Sequence, residues 1–198
     1  EGLSRAAQYQ AFKTDDRIIF AQFENGRYVF RFGSDSIVFK ESSLYPYAGK
    51  VYLEVESSHM QFDPEIRLFA PSWINEPVVS VNGNIIRMDV NGRFLCFNYE
   101  LKDGDLIEYT FKLKTQAMEM QNIHSNQSYH KYLYGPLLVG YEGKDTISLS
   151  QEIVIEPITK ELFKVKDQNL FLNPVCHLMN EKVTLDKYKT QVLFKQPK

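Results

Sequence analysis

Acidic side chains are where hydrolytic chemistry would begin. Acid–base cleavage of an acetal needs two carboxyl groups roughly 5–10 Å apart across a cleft. The chain offers Asp15 with Asp16, Glu54 with Glu56, and Asp103 with Asp105. The last pair sits in "KDGD", where aspartate favours turn geometry. Glu54 and Glu56 are two apart in a strand-like run, so they share one face, read as the solvated one. No catalytic pair is assigned.

Thiols and imidazoles give no more. The two cysteines, Cys96 and Cys176, lie far apart and outside any metal-like spacing. Cys96, in "RFLCFNY", reads as a buried small hydrophobe, with a reactive thiol as the alternative. Whether the two cysteines pair is left open. Of the four histidines, His124 and His130 flank a polar stretch without a third ligand, and His59 and His177 stand apart. His59 ends a strand-like run and reads as surface. Ser148 and Ser150 lie in no Gly-x-Ser-x-Gly elbow, and phosphate-cradling glycine loops are absent. No catalytic, cofactor-binding or metal-binding residue is therefore assigned, and no cofactor is expected.

Aromatic rings are the remaining candidates. Tyr45, Tyr47 and Trp73 stand at strand ends beside prolines. Exposed rings there can stack on the apolar face of a sugar. The preferred reading is that Trp73 packs the end of a sandwich or an interdomain seam.

The elements that position these residues are strands. Hydrophobic residues make up 43% of the 198 and aromatics 14%, enough for a core and biased toward β structure. "RIIFAQF", "RYVFRF", "SIVFKES" and "KVYLEVES" run from residue 17 to residue 57, with Tyr28, Phe30 and Phe32 alternating, then Val51, Leu53 and Val55. Asn25-Gly26 signals a hairpin, as does Asn82-Gly83 in "VSVNGN". "EIRLFAPSW", "RFLCFNYEL" and "LIEYTFKLK" follow at intervals typical of a sandwich or barrel. The polar stretch 116–131 reads as a connector, and "YLYGPLLVGYEG" resumes strand character. The expected class is all-β, as antiparallel β-sandwiches in two consecutive modules. The expected divisions are an N-terminal segment 1–15, a first module 16–115, the connector 116–131 and a smaller module 132–198.

Composition excludes several classes. A net charge of −2 with no basic run argues against nucleic acid. No apolar stretch approaches the roughly 20 residues of a membrane span. "EGLSRAAQYQAF" lacks the apolar core of a signal peptide. A leader already removed and a start inside a longer polypeptide both fit that beginning.

The ordered motifs carry a resemblance. "LYPYAG", Ala70-Pro71-Ser72-Trp73, Val81-Asn82-Gly83, Leu101-Lys102-Asp103-Gly104-Asp105 and Tyr134-Gly135-Pro136-Leu137-Leu138 follow one another. In this order and spacing the chain resembles the β region that follows the catalytic barrel in glycoside hydrolase family 127, the β-L-arabinofuranosidase-like proteins. The likeness runs from about Asp16 to Gly143 and more weakly to the end. Tyr47 stands where the family typically has Trp, and Tyr134 where it has Arg. The resemblance implies a helical (α/α)6 barrel as partner, in which cysteines and a glutamate bind zinc and one cysteine is the nucleophile. The adjacent cysteine pair of that site has no counterpart here, so no catalytic role carries over. The implied function is a non-catalytic accessory region that supports a barrel acting on plant-type, arabinose-containing glycans, in a periplasmic or extracellular setting. A stand-alone carbohydrate-binding module and a structural cell-surface sandwich are the alternatives.

Overall fold

A computed structural model of the protein describes residues 10–121, 128–178 and 189–195. The chain divides into two compact units, Glu1–Lys112 and Leu113–Lys198.

Alternation of apolar and polar residues builds unit 1. One five-stranded sheet has the order β1-β2-β6-β10-β9, with β1 (Ala11–Lys13), β2 (Arg17–Phe20), β6 (Glu65–Phe69), β9 (Asp89–Asn91) and β10 (Phe94–Phe97). A six-stranded sheet has the order β3-β4-β5-β11-β7-β8, with β3 (Gly26–Phe32), β4 (Asp35–Ser43), β5 (Lys50–His59), β7 (Ile74–Val81), β8 (Asn84–Ile85) and β11 (Leu106–Leu113). Val51, Leu53 and Val55 of β5, with Ile107 and Tyr109 of β11, are fully buried, while the residues between them face outward or partly so.

The two sheets meet face to face through aromatic edges. Phe20 of β2 packs against Phe30 and Phe39 of the other sheet at ring separations of 6.0 and 5.4 Å. Tyr109 spans the layers, its hydroxyl donating to the Phe69 carbonyl at 3.2 Å. Most pairings are antiparallel, but β2 runs parallel to β6.

Turn chemistry explains one hairpin and misleads at another. Asn82 and Gly83 both hold positive φ (51° and 79°) between β7 and β8, the paired-positive turn that Asn-Gly favours. Asn25-Gly26 forms no hairpin, because β2 and β3 belong to different sheets. Gly26 instead opens β3, and Asn25 Oδ1 accepts the Ser43 amide at 2.7 Å. The hairpin of β3 closes at Gly33-Ser34, with Gly33 at φ 65°.

Unit 2 is a sheet of order β12-β13-β14-β17-β16-β15: β12 (Thr115–Gln121), β13 (Ser128–Tyr134), β14 (Leu137–Gly143), β15 (Ile155–Pro157), β16 (Phe163–Val165) and β17 (Phe171–Pro174). β18 (Lys189–Gln191) pairs with β14, and α1 (Val175–Leu178) is a single turn. Its core gathers Tyr132, Val139, Phe163, Leu172 and Phe194. The Tyr132 hydroxyl donates to the Ser150 carbonyl at 2.7 Å.

Two expectations change. The described part of the supposed connector 116–131 is strand: β12 pairs with β13 in continuous register from Thr115↔Tyr134 to Gln121↔Ser128. Its polarity arises because β12 is an edge strand, exposed along most of its length. Residues 122–127, His124 among them, lie outside the described residues. The segment 1–15 is not wholly separate, since Ala11–Lys13 forms β1; residues 1–9 lie outside the described residues. Among the described residues no helix is long and apolar enough to cross a membrane.

Candidate functional site

One end of unit 1 gathers the aromatic candidates. β4 leaves the sheet into "LYPYAG", which turns the chain back into β5. Gly49 within it is buried against β11: a Cβ there would stand 2.0 Å from the Phe111 carbonyl oxygen. The Phe111 amide donates to the Gly49 carbonyl at 2.9 Å, so the loop is pinned to β11.

Tyr45 and Trp73, distant in sequence, come together here. The Trp73 indole N–H donates to the Tyr45 hydroxyl at 3.2 Å. The Tyr45 ring also meets Phe23 and Phe111 edge-on, at 6.0 and 6.1 Å. Burial raises the Tyr45 hydroxyl pKa, and the bond from Trp73 opposes that shift. Both rings are half-buried, as is Tyr47 in the same loop, whose amide donates to the Leu44 carbonyl. The Tyr45 ring is thus largely occupied by protein neighbours.

The carboxylates are engaged as structural acceptors. Asp105 accepts the Lys102 amide and the Asn82 side-chain amide, each at 2.8 Å. Asn82 Oδ1 accepts the Leu106 amide at 2.9 Å. Asp103 accepts the Ser58 amide at 2.6 Å. Glu54 and Glu56 pair with Lys40 and Arg27 on the outer face of the six-stranded sheet. Asp16 lies beside Arg17 and accepts from Thr14. Asp15 is exposed.

Cys96 does not resemble an activated nucleophile. Both thiols are free. Burial pushes the Cys96 thiol up, only partly offset by Arg67. Among the described residues no group of three or more His, Cys, Asp and Glu could hold a metal. His130 is buried, 3% exposed, with Nδ1 unpartnered. His177 lies in α1.

Two features escaped sequence reasoning. Glu41 of β4 is only 2% exposed, and neither carboxyl oxygen has a well-formed hydrogen bond. Desolvation pushes its pKa up to about 8, although the Glu24 amide and Tyr28 hydroxyl approach it. The same burial, with the Glu41 charge beside it, pushes Tyr28 up to about 12. Gln10 bridges toward this group, donating to Glu24 at 2.7 Å. A signal existed: Ile37, Phe39 and Glu41 alternate in "SIVFKES", which aims all three inward.

The second feature is a cleft of about 420 Å³ at the other end of unit 1. The end of β5, the loop before β6 and the "KDGD" turn enclose it, with His59, Phe62, Asp63, Glu100 and Lys102 in its walls. No sequence signal marks it, because it arises where a strand end, a loop and a turn converge.

Comparison with known proteins follows this geometry. Residues 17–113 match the family model described as beta-L-arabinofuranosidase, GH127 middle domain. No curated protein matches the sequence. A structure titled glycoside hydrolase superposes with TM-score 0.76 at 15% identity, covering 100% of this chain and 38% of its own. A GH127 beta-L-arabinofuranosidase from Geobacillus stearothermophilus T6 gives 0.72 at 14% identity, with coverage of 98% and 36%. A GH127 beta-arabinofuranosidase gives 0.70 at 16% identity, with coverage of 96% and 36%. At such identities the likeness is one of fold, and the chain spans little more than a third of each matched structure. Residues 17–113, just under half of the chain, thus match the GH127 middle domain of the β-L-arabinofuranosidases, and the chain as a whole shares the fold of GH127 structures.

Proposed function

We propose that this chain is a non-catalytic accessory region of a glycoside hydrolase, supporting a catalytic (α/α)6 barrel that acts on plant-type, arabinose-containing glycans. The observation that carries this reading is the match of residues 17–113 to a GH127 middle domain. Coverage of no more than 38% of glycoside hydrolase structures agrees with a part that works beside a larger partner. The two units are consecutive modules of that part, in a secreted or periplasmic protein.

The end cluster has a role within this reading. Tyr45, Tyr47 and Trp73 form a packed seam for the barrel rather than a sugar platform. Phe23 and Phe111 pack edge-on with the Tyr45 ring, and the Trp73 indole N–H engages its hydroxyl, which supports packing over stacking on a sugar.

Incubation of the purified chain with aryl β-L-arabinofuranosides tests the proposal. The expected result is no aryl release above the buffer blank. Release that scales with protein concentration would overturn it.

A further inference from the structure

We infer that the cleft between the β5 end, the β5–β6 loop and the "KDGD" turn binds a saccharide unit, with Phe62 as its platform. The inference rests on the glycan-acting reading above and adds a site to it, at the end of unit 1 away from Trp73.

Size and rigidity come first. About 420 Å³ lies within the range of small-molecule sites. The loop bearing Phe62 is tied on both sides: the Gln61 amide donates to Asp35 at 2.9 Å, and the Asn98 side chain donates to the Asp63 carbonyl at 3.1 Å. The facing wall is held by Asp103 on the Ser58 amide. A ligand would meet formed walls and would not have to order them.

Chemistry comes second. Phe62 is 39% exposed, and Phe32 braces it edge-on at 5.4 Å. A braced ring bordering a cleft suits the apolar C–H face of a sugar. Around it Asp63 and Glu100 offer acceptors and Lys102 a donor, the last two as an exposed pair that hydroxyl groups could join. This mixture suits hydroxyl groups, which both donate and accept. Phosphate-bearing ligands fit poorly, because Asp63, Glu100 and Asp103 outnumber Lys102. A cation fits poorly too, because Glu100 pairs with Lys102 at 3.2 Å and Asp103 is spent on the Ser58 amide.

Saturation-transfer NMR and calorimetry on the whole 198-residue chain test the inference, with L-arabinose, arabinobiose, xylobiose and cellobiose as probes. At least one should bind. Phe62→Ala should weaken that binding about tenfold, and Asp63→Asn severalfold. Trp73→Ala should leave it unchanged. Absence of binding by every probe would overturn the site, as would binding indifferent to both cleft variants or abolished by Trp73→Ala. Calcium binding in the cleft without any saccharide binding would overturn it as well. Melting curves on each variant separate lost binding from lost fold. The accessory reading is decided by turnover, so the two can fail independently.

Discussion

Asn82 and Asp105 fasten two turns of the sandwich to each other: Asn82 Nδ2 donates to Asp105 Oδ1 at 2.8 Å, and Asn82 Oδ1 accepts the Leu106 amide at 2.9 Å. The backbone adds a third link, the Asn82 amide to the Leu106 carbonyl at 2.9 Å. Asp105 in turn caps its own turn through the Lys102 amide. Asn82→Ala removes the side-chain bonds and places a Cβ residue ill-suited to φ 51°; it should cost about 2 kcal/mol in denaturant unfolding. Asn82→Gly keeps the backbone relaxed and should cost about half of that. Equal losses in the two variants would show that the positive φ contributes nothing, and no loss in Asn82→Gly would show that the side-chain bonds contribute nothing.

Glu41 should make stability depend on pH. Its pKa rises from 4.5 to about 8 on folding, so the folded state favours the proton. Its contribution is fully present below pH 4.5, falls as pH rises from there to about 8, and is gone above. Glu24 and Tyr28 are the titratable groups facing it. Across this window the wild type should lose roughly 2–4 kcal/mol relative to Glu41→Gln, which stays neutral throughout. Chemical denaturation at several pH values checks this. Parallel curves for the two proteins would refute it.

The Trp73–Tyr45 bond should register as a coupling energy. Tyr45→Phe keeps the packing on Phe23 and Phe111 and removes the acceptor, and Trp73→Phe removes the donor. A double-mutant cycle should return about 1 kcal/mol. A value near zero would mean that the two residues are merely adjacent.

Gly49 should not accept even one methyl group. A Cβ 2.0 Å from the Phe111 carbonyl oxygen must displace β11 or the loop, and both are backbone. Gly49→Ala should cost about 3 kcal/mol or more, read as a large fall in Tm. A melting temperature within a few degrees of wild type would show that the loop shifts freely.

Local chemistry was legible in the sequence; partnership was not. Asn82-Gly83 announced its hairpin because both residues tolerate positive φ. The run Val51, Leu53, Val55 announced its inward face because the side-chain period of a strand is two. Asn25-Gly26 carries the same turn chemistry, yet nothing local states that β2 and β3 enter different sheets. β12 read as a connector because an exposed edge strand is as polar as a loop. Tyr45 and Trp73 were both singled out, but their hydrogen bond depends on tertiary closure. The cleft depends on separate segments converging, the β5 end, the loop before β6 and the "KDGD" turn, and so has no signature in any one of them.

The parallel pairing of β2 with β6 has a consequence for how this unit comes into being. A parallel neighbour cannot be reached by a tight turn, so the whole β3–β5 stretch serves as the crossover that brings Ile18 and Ile19 beside Ile66 and Arg67. Closing so long a loop delays its reward until late in assembly. β2 is therefore a clasp: no local turn can fasten it, and the sheet it joins is closed only across the stretch that separates Ile18 from Ile66.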